Sequence, residues 1–533
     1  MGTLRDTSDT ESVGRAALSR PGALSRVAAN AVALTAVVSG KAMIGLGLRR
    51  PPEGWRRTVG ILLRSESTRF ALSSFGLRVP GAAVPGADGP DSLEERTARG
   101  LLEFFAGEPD AHFALEWRTH VTIRRPLRHV DIAVLHFGGD GRLDRIEPYL
   151  AAGGPAAPAA QVQGTVHAAV VSAYNNTARL PEVHRPHQLR DQVRGALSGD
   201  AAAFEYAQRV LSACCLSFEP LEPSAAAARF RPPDFVARRT LGFGYLSCVA
   251  RLHVERGVVD LWVSAHHVGL DGVPLQDLLG RLEQAWGIEA VTFPAALEAP
   301  AFAAPRACHA PRERPVDLVH GFVDLTPVVE LRRRLCDEHA TAVGGDITLG
   351  AVIAWLLGLE PEFRGVRIAS TVDVKASGGY DRDVDVVPLR PADFAAGPGE
   401  WDGFVEFARE FNRLIAASRT RTSPLRAGMQ TAGLLPAWAH ATAVRSNPAS
   451  LDDTFGSLCV TIVREARVFI APMTDLGLGH GFIAIGSAAL PSADGGRVAS
   501  VSIKGDAGRI GHYPAVLQRV LARAATARGG QAP

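Results

Sequence analysis

Near the middle of the chain, Ala265-His266-His267-Val268-Gly269-Leu270-Asp271-Gly272 brings two imidazoles, one carboxylate and a permissive backbone into eight residues. Histidine changes charge near neutral pH, so it can take a proton from an attacking group and later return it. Asp271, four residues after His267, can hold the turn by an ion pair, and Gly272 tolerates a tight backbone. A buried histidine pair with no chemistry is the other reading of these residues taken alone.

What must position them is legible on both sides. Val258, Val259, Leu261, Trp262 and Val263 form an apolar run that reads as a buried strand ending at the histidines. Val273, Leu275, Leu279 and Leu282 then recur at helical spacing. The local order is strand, polar turn, amphipathic helix. Gly244 to His253 reads as a partner strand, joined at Glu255-Arg256-Gly257.

Bulk properties exclude several classes. A chain of 533 residues is long enough for two or three units, and 47% hydrophobic with 21% charged residues describes a folded chain with a sizeable core. Basic and acidic residues number 57 and 55, for a net charge of +2, so no nucleic-acid partner is expected. Cys214, Cys215, Cys248, Cys308, Cys336 and Cys459 lack CxxC spacing, which points to a reducing, cytoplasmic setting without a disulfide scaffold. No HExxH or paired-cysteine context marks a metal site, and none is expected.

The first 20 residues are polar. Residues 27 to 48 are mostly apolar, but Asn30, Lys41 and several glycines and alanines weaken them as a membrane span. A buried or docking helix is the first expectation there, and peripheral membrane contact through 27–48 the second. Phe70 to Val79 reads as a strand and Ser92 to Gly107 as a helix with Leu93, Leu101, Leu102, Phe104 and Phe105 inward. Strands follow at Ala114 to Ile123 and Val130 to Phe137, turning at Gly138-Gly139-Asp140-Gly141. Val166 to Tyr174 reads as either a strand or the first turns of a helix. Leu189 to Ala196 and Ala202 to Cys215 are helical by pattern. Proline-rich Ala299 to Pro315 reads as a linker.

Beyond it, Val316 to Leu325 reads as a strand. Thr326 suits an N-cap with Pro327 at the first helical position, and Thr348 a second N-cap before the all-apolar helix Leu349 to Leu359. Strands are expected at Val366 to Val374, Val384 to Leu389, Phe482 to Ser487 and Arg497 to Ile503. Phe455 to Val463 and Val468 to Ile470 read as neighbouring strands. Phe404 to Ala416 and Tyr513 to Ala524 read as helices.

His266-His267-Val268-Gly269-Leu270-Asp271-Gly272 resembles the HHxxxDG signature of the chloramphenicol acetyltransferase-like superfamily. That group includes acyltransferase cores of 2-oxo acid dehydrogenase complexes, condensation domains, wax ester synthases and plant alcohol acyltransferases. The resemblance implies that His267 is the general base, that Asp271 is a structural ion-pair partner, and that His266 and Gly272 support the turn. The second half resembles the dihydrolipoamide acyltransferase core, from Phe322-Val323-Asp324-Leu325-Thr326-Pro327 through Gly456-Ser457-Leu458-Cys459-Val460-Thr461 to Ile483-Ala484-Ile485-Gly486. By that likeness Thr461 is the hydroxyl that faces the histidine and stabilises the oxyanion. A β-branched residue filling a strand is the other reading of it. Where that core carries a further HRxxDG, this chain reads Lys504-Gly505-Asp506-Ala507-Gly508-Arg509-Ile510-Gly511-His512. Asp475-Leu476-Gly477-Leu478-Gly479 resembles the structural DFGWG element of plant alcohol acyltransferases, with an ordinary turn as the alternative.

The resemblance implies an α/β fold of two such lobes in a V, each a mixed sheet flanked by helices, with a degenerate motif in the second. The boundaries it suggests are 1–54 for a tail and apolar helix, 55–298 for the first lobe with 55–160 as an accessory insertion, 299–315 for the linker and 316–533 for the second lobe. It implies acyl transfer from a coenzyme A or carrier-protein thioester, as co-substrate, to a hydroxyl or amine of a small-molecule or lipid acceptor. A monomer or small oligomer is expected. A non-catalytic scaffold that kept the fold is the competing class. A dehydrogenase-complex subunit is disfavoured by the lack of a lipoyl hairpin, and a serine hydrolase by the lack of GxSxG.

Overall fold

The computed structural model describes residues 35–48, 72–80, 93–220, 241, 246–253, 258–287, 316–374, 383–420, 431–440, 456–506 and 511–527, with short breaks inside some of these stretches. In chain order these form helix α1 (35–45), β1 (Leu72–Pro80), α2 (Leu93–Gly107), β2 (Phe113–Trp117), β3 (Thr122–Pro126), β4 (Ile132–Phe137) and β5 (Leu143–Tyr149). Then come α3 (Ala160–Thr177), α4 (Arg185–Ala196), α5 (Ala201–Leu211), β6 (Cys214–Pro220), β7 (Leu246–His253), β8 (Val258–His266) and α6 (Gly272–Trp286). The second half runs β9 (Val316–Asp324), α7 (Thr326–Val343), α8 (Leu349–Gly358), β10 (Ile368–Val374), β11 (Asp383–Leu389), α9 (Phe404–Arg419) and β12 (Leu458–Val463). It closes with β13 (Phe469–Ala471), β14 (Gly481–Gly486), β15 (Leu490–Pro491), β16 (Arg497–Asp506) and α10 (Tyr513–Thr526).

The fold is mixed α/β, with two large mixed sheets packed against helices and a small separate β2–β3 hairpin. The first sheet has the order β13-β1-β8-β7-β6-β4-β5, the second β11-β10-β12-β14-β16-β15 with β9 also paired to β16. The two repeat one another strand by strand. In the first, β4–β6 and β6–β7 are parallel while β4–β5, β7–β8 and β8–β1 are antiparallel. In the second, β10–β12 and β12–β14 are parallel while β10–β11, β14–β16 and β16–β9 are antiparallel. β8 and β16 are therefore equivalent, and each is followed by a helix, α6 or α10.

Helices form where the sequence gives them one apolar face. In α2 Leu93, Leu101, Phe104 and Phe105 are buried as the pattern predicts, while Leu102 is only partly covered. Thr348 caps α8 by accepting the Ala351 N–H at 3.1 Å, and the helix behind it is buried almost throughout. Residues 166–174 are helical, because Val166, Val170, Ala173 and Tyr174 recur every three or four residues on the buried side of α3. Thr326 does not cap α7: it is already helical, its hydroxyl accepts the Arg497 N–H at 2.9 Å, and Asp324 Oδ1 takes the Thr326 N–H instead.

Two further expectations change. Cys214 and Cys215 do not end a helix but begin β6, since α5 stops at Leu211 and Cys214 N–H bonds the Asp131 carbonyl at the edge of β4. β12 and β13 are not neighbours: β13 pairs with β1 and completes the first half's sheet. Of the two forms expected of the apolar helix, buried or docking, the described part of α1 takes the second. It rests on the body at Gly40 and exposes most of its surface. Among the described residues, no helix is long and apolar enough to cross a membrane.

One buried ion pair ties α5 to β4. The Arg209 Nη2 group donates to Asp131 Oδ1 at 3.0 Å and its Nε to Oδ2, with side chains 10% and 4% exposed. Ala151 N–H also donates to Oδ1, at 2.8 Å. Asp131→Ala strands a buried guanidinium and should lower stability by about 3–5 kcal/mol in urea denaturation. A loss below about 1 kcal/mol would mean that the pair behaves as a solvated surface pair.

Candidate functional site

The strand that delivers the histidines is central to its sheet. β8 is hydrogen-bonded to β1 on one side and β7 on the other, with Val263 opposite Phe75 and Cys248. Leu261 to Ala265 are fully buried. Its last residue, His266, pairs with Leu72. Gly76 lies across from Trp262, and a Cβ on it would meet the indole at 2.5 Å, so the two strands meet closely just before the turn.

In the turn itself, Val268 and Leu270 are 1% and 3% exposed and join the first core cluster with Leu275, Leu278, Leu279 and Leu282 of α6. The freely varying positions of the motif thus anchor the turn by burial, worth roughly 1.5–3 kcal/mol for each large aliphatic side chain. Gly272 begins α6. His267 and Asp271, the His266 side chain, and Asp475 lie outside the described residues.

Thr461 lies on the face of the second sheet that meets the first half. Side chains alternate along β12: Leu458 and Val460 enter the second core, with Ile462 packed against it. The opposite face carries Cys459, Thr461 and Val463. Val463, with Ala484 directly across from Thr461, belongs to the first core cluster, the one that holds Val268 and Leu270. That face of the second sheet therefore packs on the half that bears the histidine turn. Thr461 is half-buried there, and its hydroxyl is hydrogen-bonded to that of Thr371 on β10. Thr371 was not visible from the sequence, where it is one β-branched residue among several in a strand.

The repeat accounts for the altered end of the second half. Aligning the two sheets at the first pairs of β4–β6 and β10–β12 sets Val263 against Ile503 through their ladders. His266 then corresponds to Asp506 and His267 to Ala507. Strand and helix survive in the second copy, and the imidazole does not.

One other convergence of ligand-type side chains occurs among the described residues: Glu94, His136 and Glu147. His136 Nε2 is 3.4 Å from Glu147 Oε2 and 3.7 Å from Glu94 Oε1. The Arg145 Nη2 group lies 3.4 Å from Nδ1 and 3.5 Å from Nε2, so a guanidinium sits against the imidazole face. Burial pushes the Glu94 carboxyl above its ordinary range, with His136 opposing and Glu147 adding. A fixed cation on the ring supplies the charge that two carboxylates want and repels a divalent ion. The group is a charge network of the β4–β5 edge.

The sequence matches no family model and no curated protein. Solved structures similar to this chain include trichothecene 15-O-acetyltransferase from Fusarium sporotrichioides, at 11% identity and a TM-score of 0.45, covering 88% of this chain and 94% of that one. Another is the first condensation domain of the calcium-dependent antibiotic synthetase, at 14% identity and 0.44, covering 90% and 96%. Dihydrolipoamide acetyltransferase of Azotobacter vinelandii is similar over 40% of this chain and 84% of its own, at 14% identity and 0.25. These neighbours are acyltransferases and a condensation domain.

Cys459, two residues from Thr461, is not a nucleophile candidate. Burial pushes its thiol up to about 12, and does the same to Cys215. A thiolate is the reactive form, so iodoacetamide at pH 8 should leave both unmodified in the native protein and label both after unfolding, as read by peptide mass mapping. Rapid native labelling of Cys459 would show that the interface face of β12 is open to solvent.

Proposed function

We propose that the protein is an acyltransferase that moves an acyl group from a coenzyme A or carrier-protein thioester to a hydroxyl or amine, with His267 as general base. The observation that carries this reading is the shared apolar cluster. Val268 and Leu270 of the histidine turn pack in one core with Val463 and Ala484, which flank Thr461 on the second sheet. A base from one half and a hydroxyl donor from the other then bracket a water-poor seam, the setting a thioester needs to escape hydrolysis.

In this mechanism the acceptor O–H or N–H gives its proton to His267 as its heteroatom attacks the thioester carbonyl. Negative charge collects on the carbonyl oxygen, which accepts a hydrogen bond from the Thr461 hydroxyl. A hydroxyl has one proton to give, so Thr461 can serve the oxyanion only while accepting from Thr371, its hydrogen-bonded neighbour. Thr371 is thereby a positioning residue. Collapse of the intermediate expels the thiolate, which is protonated by the imidazolium. Asp271 holds the turn by an ion pair, with His266 and Gly272 supporting it.

The test begins by identifying thioesters that co-purify with the protein by mass spectrometry, then follows thiol release from them with acceptor panels. His267→Ala should lower turnover by about 10²–10⁴. Thr461→Val should lower kcat by roughly 10²–10³ with little change in KM. Thr371→Val should act in the same direction and more weakly. Near wild-type turnover in His267→Ala would overturn the assignment, and absence of transfer by the wild type across the panel would favour a scaffold.

A further inference from the structure

We propose that helix α1 and the turn after it, together with Trp438, form a docking surface for the headgroup region of an anionic lipid membrane. The first observation is where exposed apolar bulk lies. The large apolar side chains of the described residues left in solvent are Val38, Met43, Leu46, Leu48, Leu180 and Trp438, at 60%, 40%, 73%, 74%, 38% and 46% exposure. Four of these six fall within residues 38–48. Trp438 belongs to the segment that also carries Leu434, and Leu434 is the residue on which α1 sits: a Cβ at Gly40 would meet its Cδ2 at 2.9 Å.

The helix carries apolar residues on both sides, with Thr35, Ser39 and Lys41 among the exposed ones. Ala36, Val37, Gly40 and Ile44 form the partly or fully covered side, at helical spacing, while Val38, Ala42, Met43 and Leu46 face solvent. Large apolar side chains on a second helix face are normally covered. Here the close approach allowed by Gly40 fixes one face to the body and presents the other.

Charge selects the occupant. From Val13 to Pro52 the sequence carries Arg15, Arg20, Arg26, Lys41, Arg49 and Arg50 and no Asp or Glu, in a chain whose net charge is +2. The rest of the chain is therefore net acidic, and the concentration of basic residues here matches a surface of negative headgroups. Lys41 is exposed beside the apolar face, where its stem can lie along the acyl boundary with the ammonium among phosphates. The exposed Trp438 indole is a side chain of the kind that suits the interface. The eleven residues of α1 rise about 16 Å at about 1.5 Å each, roughly half the hydrocarbon thickness of a bilayer. The described part of the helix can lie on a membrane and is too short to span one.

The experiment is co-sedimentation of the full-length protein with sucrose-loaded vesicles of phosphatidylcholine alone and of phosphatidylcholine with 30% phosphatidylserine. Wild type should bind the anionic vesicles, weakly bind the neutral ones, and lose most binding in 0.5 M NaCl. Leu46→Glu/Leu48→Glu should reduce partitioning at least tenfold, and Lys41→Glu about fivefold or more. Leu180→Glu, at an exposed apolar residue elsewhere, should leave it unchanged. Unaltered thermal unfolding of the three variants separates loss of docking from loss of fold. Wild type remaining in the supernatant with both vesicle types, or the double variant binding as well as wild type, would overturn the proposal. So would a wild-type dimer that the double variant converts to a monomer without any vesicle binding, since the patch would then be a self-interface.

Discussion

The pairing of β13 with β1 is the interaction on which the arrangement of the molecule rests. β1 stands between β8 and β13, with Phe75 opposite both Val263 and Ile470. Without β13, β1 would be an edge with a row of unpaired backbone groups beside the central strand. The second half supplies the missing pairing with three residues. Its cost is that the chain must leave β12, cross to the other sheet and return for β14. That excursion also commits the face of β12 that bears Thr461 to the first half, because the chain leaves for the other sheet just after Val463.

Repetition and divergence then follow different constraints. β8 and β16 occupy the same place in their sheets, and the need to bury a central strand preserves both. Gly481, opposite the end of β16, adds a backbone constraint: it has φ +95°, and a side chain there would meet the Lys504 carbonyl at 2.4 Å. Carrying the two registers forward, Ala507 stands at the repeat position of His267.

How much of this was legible in the sequence depends on whether a residue's environment is local. β8, α2 and α8 were readable because burial on one or all faces leaves a run or a period in the residue order. β5, Leu-Asp-Arg-Ile-Glu-Pro-Tyr, was missed because it is a sheet edge with only Leu143 and Ile146 buried. β6 was absorbed into the preceding helix because Cys214 and Cys215 follow α5 after only two residues. Thr326 looked like a cap because residue type alone cannot show that Asp324 and Arg497 already satisfy the groups around it. The strand before the histidines and the helix after them were legible by pattern, and Thr461 was singled out only through resemblance. Thr371 was legible by neither, since its part depends on a parallel pairing between strands 90 residues apart.

That pairing has an identifiable origin. A one-residue slip of β12 against β10 would turn Thr461 into the second core and put Ile462 at the seam. Gly456 resists the slip. It precedes the strand with φ +74°, and a Cβ there would lie 2.8 Å from the Arg367 carbonyl and 2.9 Å from Ala369 N, so the backbones touch where the strands begin. The Ser457 N–H then donates to the Arg367 carbonyl at 2.9 Å, and Ile368 opposite Leu458 starts the ladder. Counting on from there, Ser370 meets Val460 and the next step brings the two threonine hydroxyls together. A glycine five residues from the hydroxyl it positions therefore decides which side chain the second half offers to the first.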